Sequence, residues 1–439
     1  MDSTQQEILQ FVTENDVKFI RLAFCDLFGR LKNISIMAEE LPRAFADGIS
    51  FDASAVRGFL QVEESDLFLF PDPSTLSILP WRPQQGRVVR MFCDIRHPDG
   101  HPFPGDGRAI LRQAMQRCQA LGFRCQIGPE CEFYLFETDS QGYPTQHPHD
   151  NAGYLDVAPM DKGENVRREI CLTLEQMGIR PESSHHEQGP GQHEVDFRYS
   201  DVLLAADQLI TFKSVVRNVA ARNGLHASFL PKPLQNQSGN GLHINLSLSQ
   251  GADNLFAPVD GALSPVASSF IAGVLAKMPE MTLFFNPLLN SYRRFGAFEA
   301  PRYITWSPQN RSPLIRIPAA QPHHARMELR SADPACNPYW AFALLIHAGL
   351  YGVEHALTLP APSNLNLYQA SSAQIDALPT LPGTLEQALI QAEQSTWLPT
   401  CLPAVALEHF LSYKREELQR FSSHEQPEAY EYERYFPFI

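Results

Sequence analysis

Four short stretches of the chain alternate, residue by residue, between apolar and ionisable side chains. In "GPECEFYLF" (128–136), Glu130 and Glu132 share one face of an extended strand while Cys131 and Phe133 take the other. In "GLHINLSL" (241–248), His243, Asn245 and Ser247 stand opposite Leu242, Ile244, Leu246 and Leu248. "RMELR" (326–330) sets Arg326, Glu328 and Arg330 against Met327 and Leu329, and "HEVDF" (193–197) aligns Glu194 with Asp196. The default for such alternation is a half-buried antiparallel sheet with its polar face in water. These faces carry Glu, His and Arg and no lysine, however, where a solvated face would carry more Thr, Ser, Lys and Gln. The other reading is a sheet curved so that its concave face holds a charged site.

That site would gather Glu130, Glu132, Glu187, Glu194, Glu328 and His243. Five carboxylates at close range force protonation on one another unless cations neutralise them. Two or more divalent cations would do so, and ligation dominated by oxygen favours Mg²⁺ or Mn²⁺ over Zn²⁺. Paired metals with arginines are the equipment of phosphoryl transfer. Arginines are concentrated in 290–318 at Arg293, Arg294, Arg302, Arg311 and Arg316, and guanidinium forks suit carboxylate and phosphate. The plainer reading of that segment is a solvated basic loop. There is no Walker A loop and no GxGxxG, so a nucleotide would be held through metals and arginines.

Elsewhere the sequence mainly excludes. A net charge of −14 without a Lys/Arg block argues against nucleic acid. Eight cysteines with no CxxC pair argue against a zinc ribbon or a disulfide framework. The start, "MDSTQQEILQF", has no signal-peptide pattern. The most apolar run, 339–353, is too short for a membrane span and reads as a core helix. The expectation is a cytoplasmic chain with reduced thiols, binding neither nucleic acid nor membrane. A helix is expected over 3–15, a hairpin over 17–36 and short strands up to about residue 103. The Pro/Gly junction "HPFPGDGR" (101–108) leads into an amphipathic helix, then mixed strands and helices, then a charged helical tail.

Seven stretches taken together carry a resemblance: "FDASAVRGF" (51–59), "GPECEFYLF", "HHEQGPGQHEV", "KPLQNQSGNGLH" (232–243), "NSYRRFGAFEAP", "NRSPLIRIP" and "MELRSADPACNPY" (327–339). In this order the chain resembles the type I glutamine synthetases along nearly its whole length. The resemblance implies an α+β fold. A small N-terminal β-grasp-like domain would span 1–103, and a larger catalytic domain with a curved antiparallel sheet and flanking helices would span 104–439. It implies a dodecamer of two stacked hexamers with active sites between subunits. It also implies an ATP-dependent ligase that makes glutamine from glutamate and ammonia through γ-glutamyl phosphate.

Carried over by position, one metal would take Glu132, Glu187 and Glu194, and the other Glu130, His243 and Glu328. Arg294, Arg330 and Gly239 would surround glutamate. Arg311 and Arg316 would face the transferring phosphoryl group. Arg326, Arg311, Asn245 and Ser247 would lie near ATP. Asp52 and Tyr154 would form the ammonium site, and Glu299 would close it against water. His185, His186 and His193, which give "SSHHEQGPGQHEVDF" (183–197) the look of a zinc site, become supporting or packing residues.

The chain also departs from the family pattern. The usual Asp-Gly-Ser-Ser is Asp52-Ala53-Ser54-Ala55 here. Ser238 replaces an asparagine, Asn245 a histidine, and His323 and His324 stand where lysine is expected. No metal ligand is changed, so ligase chemistry is the expectation. A larger amine acceptor such as a polyamine is the alternative, and a catalytically silent structural or regulatory relative is a third. Asn366-Leu367-Tyr368 matches a tripeptide nucleotidylated in part of the family, although an ordinary surface-loop tyrosine accounts for it as well.

Overall fold

The computed structural model describes residues 3–59, 62 and 65–439. Helix α1 (Ser3–Glu14) leads into the expected hairpin, β1 (Val17–Cys25) and β2 (Leu31–Met37), paired from Phe19↔Met37 to Cys25↔Leu31. Its turn closes because the Asp26 carboxylate accepts from the N–H of Phe28 (3.0 Å) and of Arg30 (2.9 Å). Gly29 is required there twice over. Its φ is +73°, and a Cβ would lie 2.8 Å from the Cα of Asn337. After α2 (Leu41–Asp47), strands β3 (Ile49–Asp52), β4 (Asp66–Pro71), β5 (Ser77–Ile78) and β6 (Arg87–Arg96) complete a six-stranded sheet in the order β2-β1-β6-β4-β3, with β5 on β6. Its β1–β6 pair is parallel.

The Pro/Gly junction is stitched rather than loose. Asp106 caps α3 (Gly107–Ala120), and buried Arg108 reaches Asp72 (2.8 Å), Asp94 (2.9 Å) and Asp207 (3.1 Å). Arg112 shares Asp94 (2.7 Å), and the Tyr339 hydroxyl donates to Asp207 (2.6 Å). One guanidinium thus joins carboxylates from the first sheet to a helix of the second unit.

The second unit is built on an eleven-stranded sheet, with path β15-β16-β17-β13-β7-β10-β9. Its central strand, β7 (Arg124–Thr138), is 15 residues long and also pairs with β8 (Pro144–Pro148), β11 (Ser200–Asp201) and β12 (Leu225–Ser228). The other path strands are β9 (Pro181–His186), β10 (Gln192–Phe197), β13 (Leu242–Gln250), β15 (Trp306–Pro308), β16 (Ile315–Ile317) and β17 (Met327–Leu329), and β14 (Asp253–Asn254) pairs with β13. All four alternating stretches fall on this sheet. The pairing departs from all-antiparallel at one edge, where β15 and β16 run parallel. Each is three residues long, too short for a periodicity to announce it.

The apolar face packs on helices. Cys131, Phe133, Val195, Leu242, Ile244, Leu246, Met327 and Leu329 are fully buried. Each large side chain among them contributes about 1.5–3 kcal/mol by leaving water. Behind them lie α4 (Glu164–Gln176), α5 (Val202–Arg222), α6 (Pro265–Phe285) and α7 (Pro338–Glu354). The apolar run at 339–353 is indeed a core helix, within α7. It crosses α6 so closely that a Cβ on Gly273 would stand 2.2 Å from the carbonyl oxygen of Ala348. Among the described residues no helix is long and apolar enough to cross a membrane. All eight cysteines are free, and seven are buried.

Candidate active site

Strand register creates the site. Glu194 on β10 stands directly opposite Glu132 on β7, and His185 on β9 opposite Glu194. One pleat along, Asp196 opposes Glu130, which opposes His243 on β13. Farther across, Asn245 opposes Glu328 on β17, and Glu328 opposes Arg316 on β16. Like charges placed directly across a ladder are destabilising, so the two rows that set acid against acid on one face call for compensation.

Two groups converge tightly enough to hold a cation. Ligand atoms of Glu130, His243 and Glu328 lie within 4.8 Å of one another, as do those of His185, Glu187 and Glu194. His243 Nδ1 is 3.4 Å from Glu130 and 3.9 Å from Glu328. His185 Nε2 is 2.8 Å from Glu187 and 4.0 Å from Glu194. Glu132 adjoins the second group, and its carboxylate accepts from the Gly241 N–H (2.8 Å) and the Gln192 amide (3.0 Å). A third group, Asp150, His186 and His193, is buried behind the sheet. Most of it is taken up by structural contacts: His186 pairs with Asp150 at 2.9 Å and Arg167 meets His193 Nδ1 at 2.9 Å, leaving His193 Nε2 buried without a partner.

The acids fall into two electrostatic kinds. Burial would raise Glu328, but Arg330, His243 and Arg316 outweigh it and hold its pKa at about 2. Arg316 donates to it at 2.8 Å, and Arg330 makes a second, very short contact. Glu194 has no such partner. Burial first, then Asp196 and Glu132, push its pKa well above the carboxylate range. Burial and Glu187 likewise raise Glu132. Glu187 itself is lowered, because the hydrogen bond and charge of His185 overcome burial.

All of these acids but Glu328, which is buried beneath Arg316 and Arg330, line a cavity of about 480 Å³, with Arg294, Arg311, Arg330, Glu299, Tyr154 and Gly239 on its other walls. Arg294 is fixed by donating to the carbonyls of Ser331 (3.0 Å) and Ala332 (3.1 Å). Gly239 lets the loop pass, since a Cβ would sit 2.6 Å from the Cγ of Arg294. Glu299 lies 3.7 Å from Arg330 and 3.4 Å from the Gln188 amide. It and Phe298 hold left-handed backbone, with φ of +64° and +49°, a conformation uncommon outside glycine and concentrated at functional loops.

A second cavity of about 600 Å³ meets the first at Glu130 and Asp196 and is lined by Asn245, Ser247, Arg326, Tyr199, His323 and His324. Asn245 joins the two. Its amide donates to Glu130 (2.8 Å), and its oxygen accepts from Arg326 (2.8 Å).

Three expected positions fall elsewhere. Asp52 is exposed at the end of β3, accepts from Ser54 N–H (2.9 Å) and Oγ (2.6 Å), and lines neither cavity of its own chain. Arg316 is spent on Glu328 and also lines neither. Tyr368 is not a surface-loop tyrosine. Its hydroxyl is enclosed without a hydrogen-bond partner, and burial raises its pKa, with Arg330, Glu299 and Arg294 close enough to act on it. Sequence reasoning passed over Gln192, which braces Glu132, and set His185 among the supporting residues although it closes on Glu187. Their positions two before Glu194 and two before Glu187 were the available signal.

With the geometry established, comparison with known proteins is direct. The β-grasp domain of glutamine synthetase matches residues 16–98, and the glutamine synthetase catalytic domain matches residues 104–435. The chain belongs to the glutamine synthetase family. It is 44% identical over 426 residues to a glutamine synthetase of Methanosarcina mazei, covering 96% of this chain and 95% of that one. It is 46% identical over 391 residues to one of Clostridium saccharobutylicum, covering 88% of each. Among solved structures it is similar to GmaS in complex with ADP, with a TM-score of 0.87 and 30% identity over 95% of this chain and 97% of that one.

Proposed function

We propose that the chain is a glutamate–ammonia ligase that makes glutamine through γ-glutamyl phosphate, using ATP and two divalent cations, Mg²⁺ or Mn²⁺. The observation that carries this reading is two carboxylate–histidine groups that, apart from buried Glu328, line one cavity whose other walls hold Arg294, Arg311 and Arg330. The donor set fits hard cations: oxygen dominates, and Glu132 and Glu194 have no guanidinium partner. Glu130, His243 and Glu328 would hold one cation, and Glu187 and Glu194 with Glu132 the other. Bound there, the cations would screen phosphate charge.

The chain's own residues then divide the work. Arg294, Arg330 and the Gly239 loop hold glutamate. Its side-chain carboxylate attacks the γ-phosphorus and ADP leaves. Arg311 faces the charge that spreads over the transferring oxygens. Ammonia then attacks the acyl carbon and phosphate leaves. Glu299, beside Arg330, shields the acyl phosphate from water. ATP belongs in the cavity of Arg326, Asn245 and Ser247, which opens onto the first at Glu130.

Asp52 serves from a second copy of the chain, consistent with its exposure and its distance from its own cavity, and the assembly is the stacked double hexamer of the family, in the cytoplasm. Hydrogen bonds from Ser54 lower the pKa of Asp52, so it stays an anion that attracts ammonium. The domains divide at 103/104.

A specific observation favours a second reading, ligation of a larger amine. Ala55 removes a hydroxyl near Asp52, and Tyr154 is exposed. Phosphate release from ATP and glutamate, measured with Mg²⁺ against a panel of amines, separates the two. Strong preference for ammonium supports the first reading, preference for an organic amine supports the second, and amine-independent or absent release overturns both.

A further inference from the structure

The molecule carries another unbalanced charge cluster, of opposite sign and away from the active site. A cavity of about 360 Å³ lies between the β1–β2 turn, α5 and the segment 334–335. That size is at the lower end of the roughly 300–1,000 Å³ typical of small-molecule sites. Arg30 and Lys32 enter it from the hairpin and Lys213 and Arg217 from α5, while Ser214 and Asn218 add neutral donors. Lys213 and Arg217 are four residues apart, so one helix face presents both.

Among the described residues no carboxylate side chain lines the cavity. Lys32 has the nearest acid, with Asp26 at 3.8 Å. Buried Lys213 donates to the carbonyl of Pro334 (2.8 Å), a neutral acceptor. Arg217 lies over the Phe229 ring at 5.0 Å, and solvent reaches it through the cavity mouth. Among the described residues neither Arg30, Lys213 nor Arg217 makes an ion pair. Ile439, the last residue of the sequence, also lines the wall, and an oxygen of its terminal carboxylate accepts from the Phe229 N–H (2.9 Å), one anion against four cations and in no ion pair with them among the described residues. Crowding by protein lowers the pKa of both Lys213 and Arg217, and Arg30 adds to the effect on Arg217. Cations gathered without partners cost stability that a bound anion restores.

We propose that this cavity is a binding site for a small polyvalent oxyanion, held by Arg30, Lys213 and Arg217 with Lys32 at the mouth. Two guanidinium forks and two ammonium groups suit a phosphate ester or a dicarboxylate equally. The site is separate from the acid-lined cavity, and the proposal stands whichever amine the enzyme uses.

The test is calorimetric titration of the full-length protein in EDTA with pyrophosphate in one arm and succinate in the other. Saturable binding of at least one is expected, weakened tenfold or more in Arg217→Met and in Arg30→Gln and unchanged in Arg415→Gln, an exposed arginine outside the cavity. Arg30→Gln lies on a surface turn, so it decides the matter should Arg217→Met fail to fold. Binding of pyrophosphate alone marks the ligand as a phosphate ester, and binding of succinate alone marks it as a dicarboxylate. Binding of neither anion, or equal affinity in wild type and Arg30→Gln, overturns the proposal.

Discussion

Two buried charge clusters differ in one respect, and that respect separates architecture from chemistry. Around Arg108, three carboxylates meet two guanidiniums and a tyrosine hydroxyl, and every acid has a partner within 3.1 Å. At the candidate active site Glu130, Glu132, Glu187 and Glu194 line the cavity and Glu328 is buried beside His243, but the paired arginines, Arg316 and Arg330, both serve Glu328. Glu132 and Glu194 are left with raised pKa values. A closed cluster holds domains together, whereas an open one waits for a ligand of the missing charge. The basic cavity on α5 is open in the opposite sense.

Substitutions can break this contrast from either side. The largest effect is expected from Glu328→Gln, which keeps volume but removes the anion between Arg316, Arg330 and His243. Phosphate release per folded molecule should fall a thousandfold or more, by analogy with other electrostatic anchors of phosphoryl transfer, and the melting temperature should fall as well, because buried Arg330 loses its partner. Near-normal turnover would show that the open cluster is not catalytic.

Arg108→Met should do the reverse. It strands Asp72, Asp94 and Asp207, and unfolding free energy should drop by about 3–5 kcal/mol, with turnover per folded molecule retained. A chemical denaturation series measures the first and an active-fraction assay the second.

A gentler comparison pits Glu194→Gln against Asp72→Asn in EDTA, since burial is outweighed by Arg108 and Ser74, which lower the pKa of Asp72. Because the folded-state pKa of Glu194 is raised, its contribution to stability is present at low pH and lost as pH rises. Removing its charge should therefore raise the metal-free melting temperature at pH 8 by a few degrees, on the order of 1 kcal/mol, with less gain at pH 5. Asp72→Asn should lower it at both, because a lowered folded pKa contributes stability that is present above the unfolded carboxylate value. The same sign for both variants at pH 8 would erase the distinction.

The smallest effect concerns an intermediate case. Glu431 pairs with Arg293 at 2.6 Å, yet burial, the larger influence, lifts its pKa to about 7. Its folded pKa is raised, so its stabilisation should fade between pH 4.5 and 7. Glu431→Gln should flatten that part of the stability–pH curve.

Much of this was legible in the chain, and the limits are physical. Alternation in "GPECEFYLF" and "GLHINLSL" identified the strands and which side chains share a face, because strand periodicity is local. It could not give register, and register is what sets Glu194 against Glu132 and His243 against Glu130. The left-handed backbone at Phe298 and Glu299 carries no glycine to announce it. Tyr368 looked like a loop residue because its neighbours are polar and Pro-rich, yet long-range packing encloses its hydroxyl. The basic cavity joins a hairpin to a helix some 180 positions away, and only the fold makes them neighbours.

Cation binding tests the central claim most directly. Mn²⁺ titrated into the purified protein and followed by electron paramagnetic resonance should show two bound ions per chain. Glu328→Gln and Glu194→Gln should each lose one of them, and Arg108→Lys neither. Fewer than one Mn²⁺ per chain in the wild type, or two retained in both glutamate variants, would contradict the assignment of the open acidic cluster as a metal site.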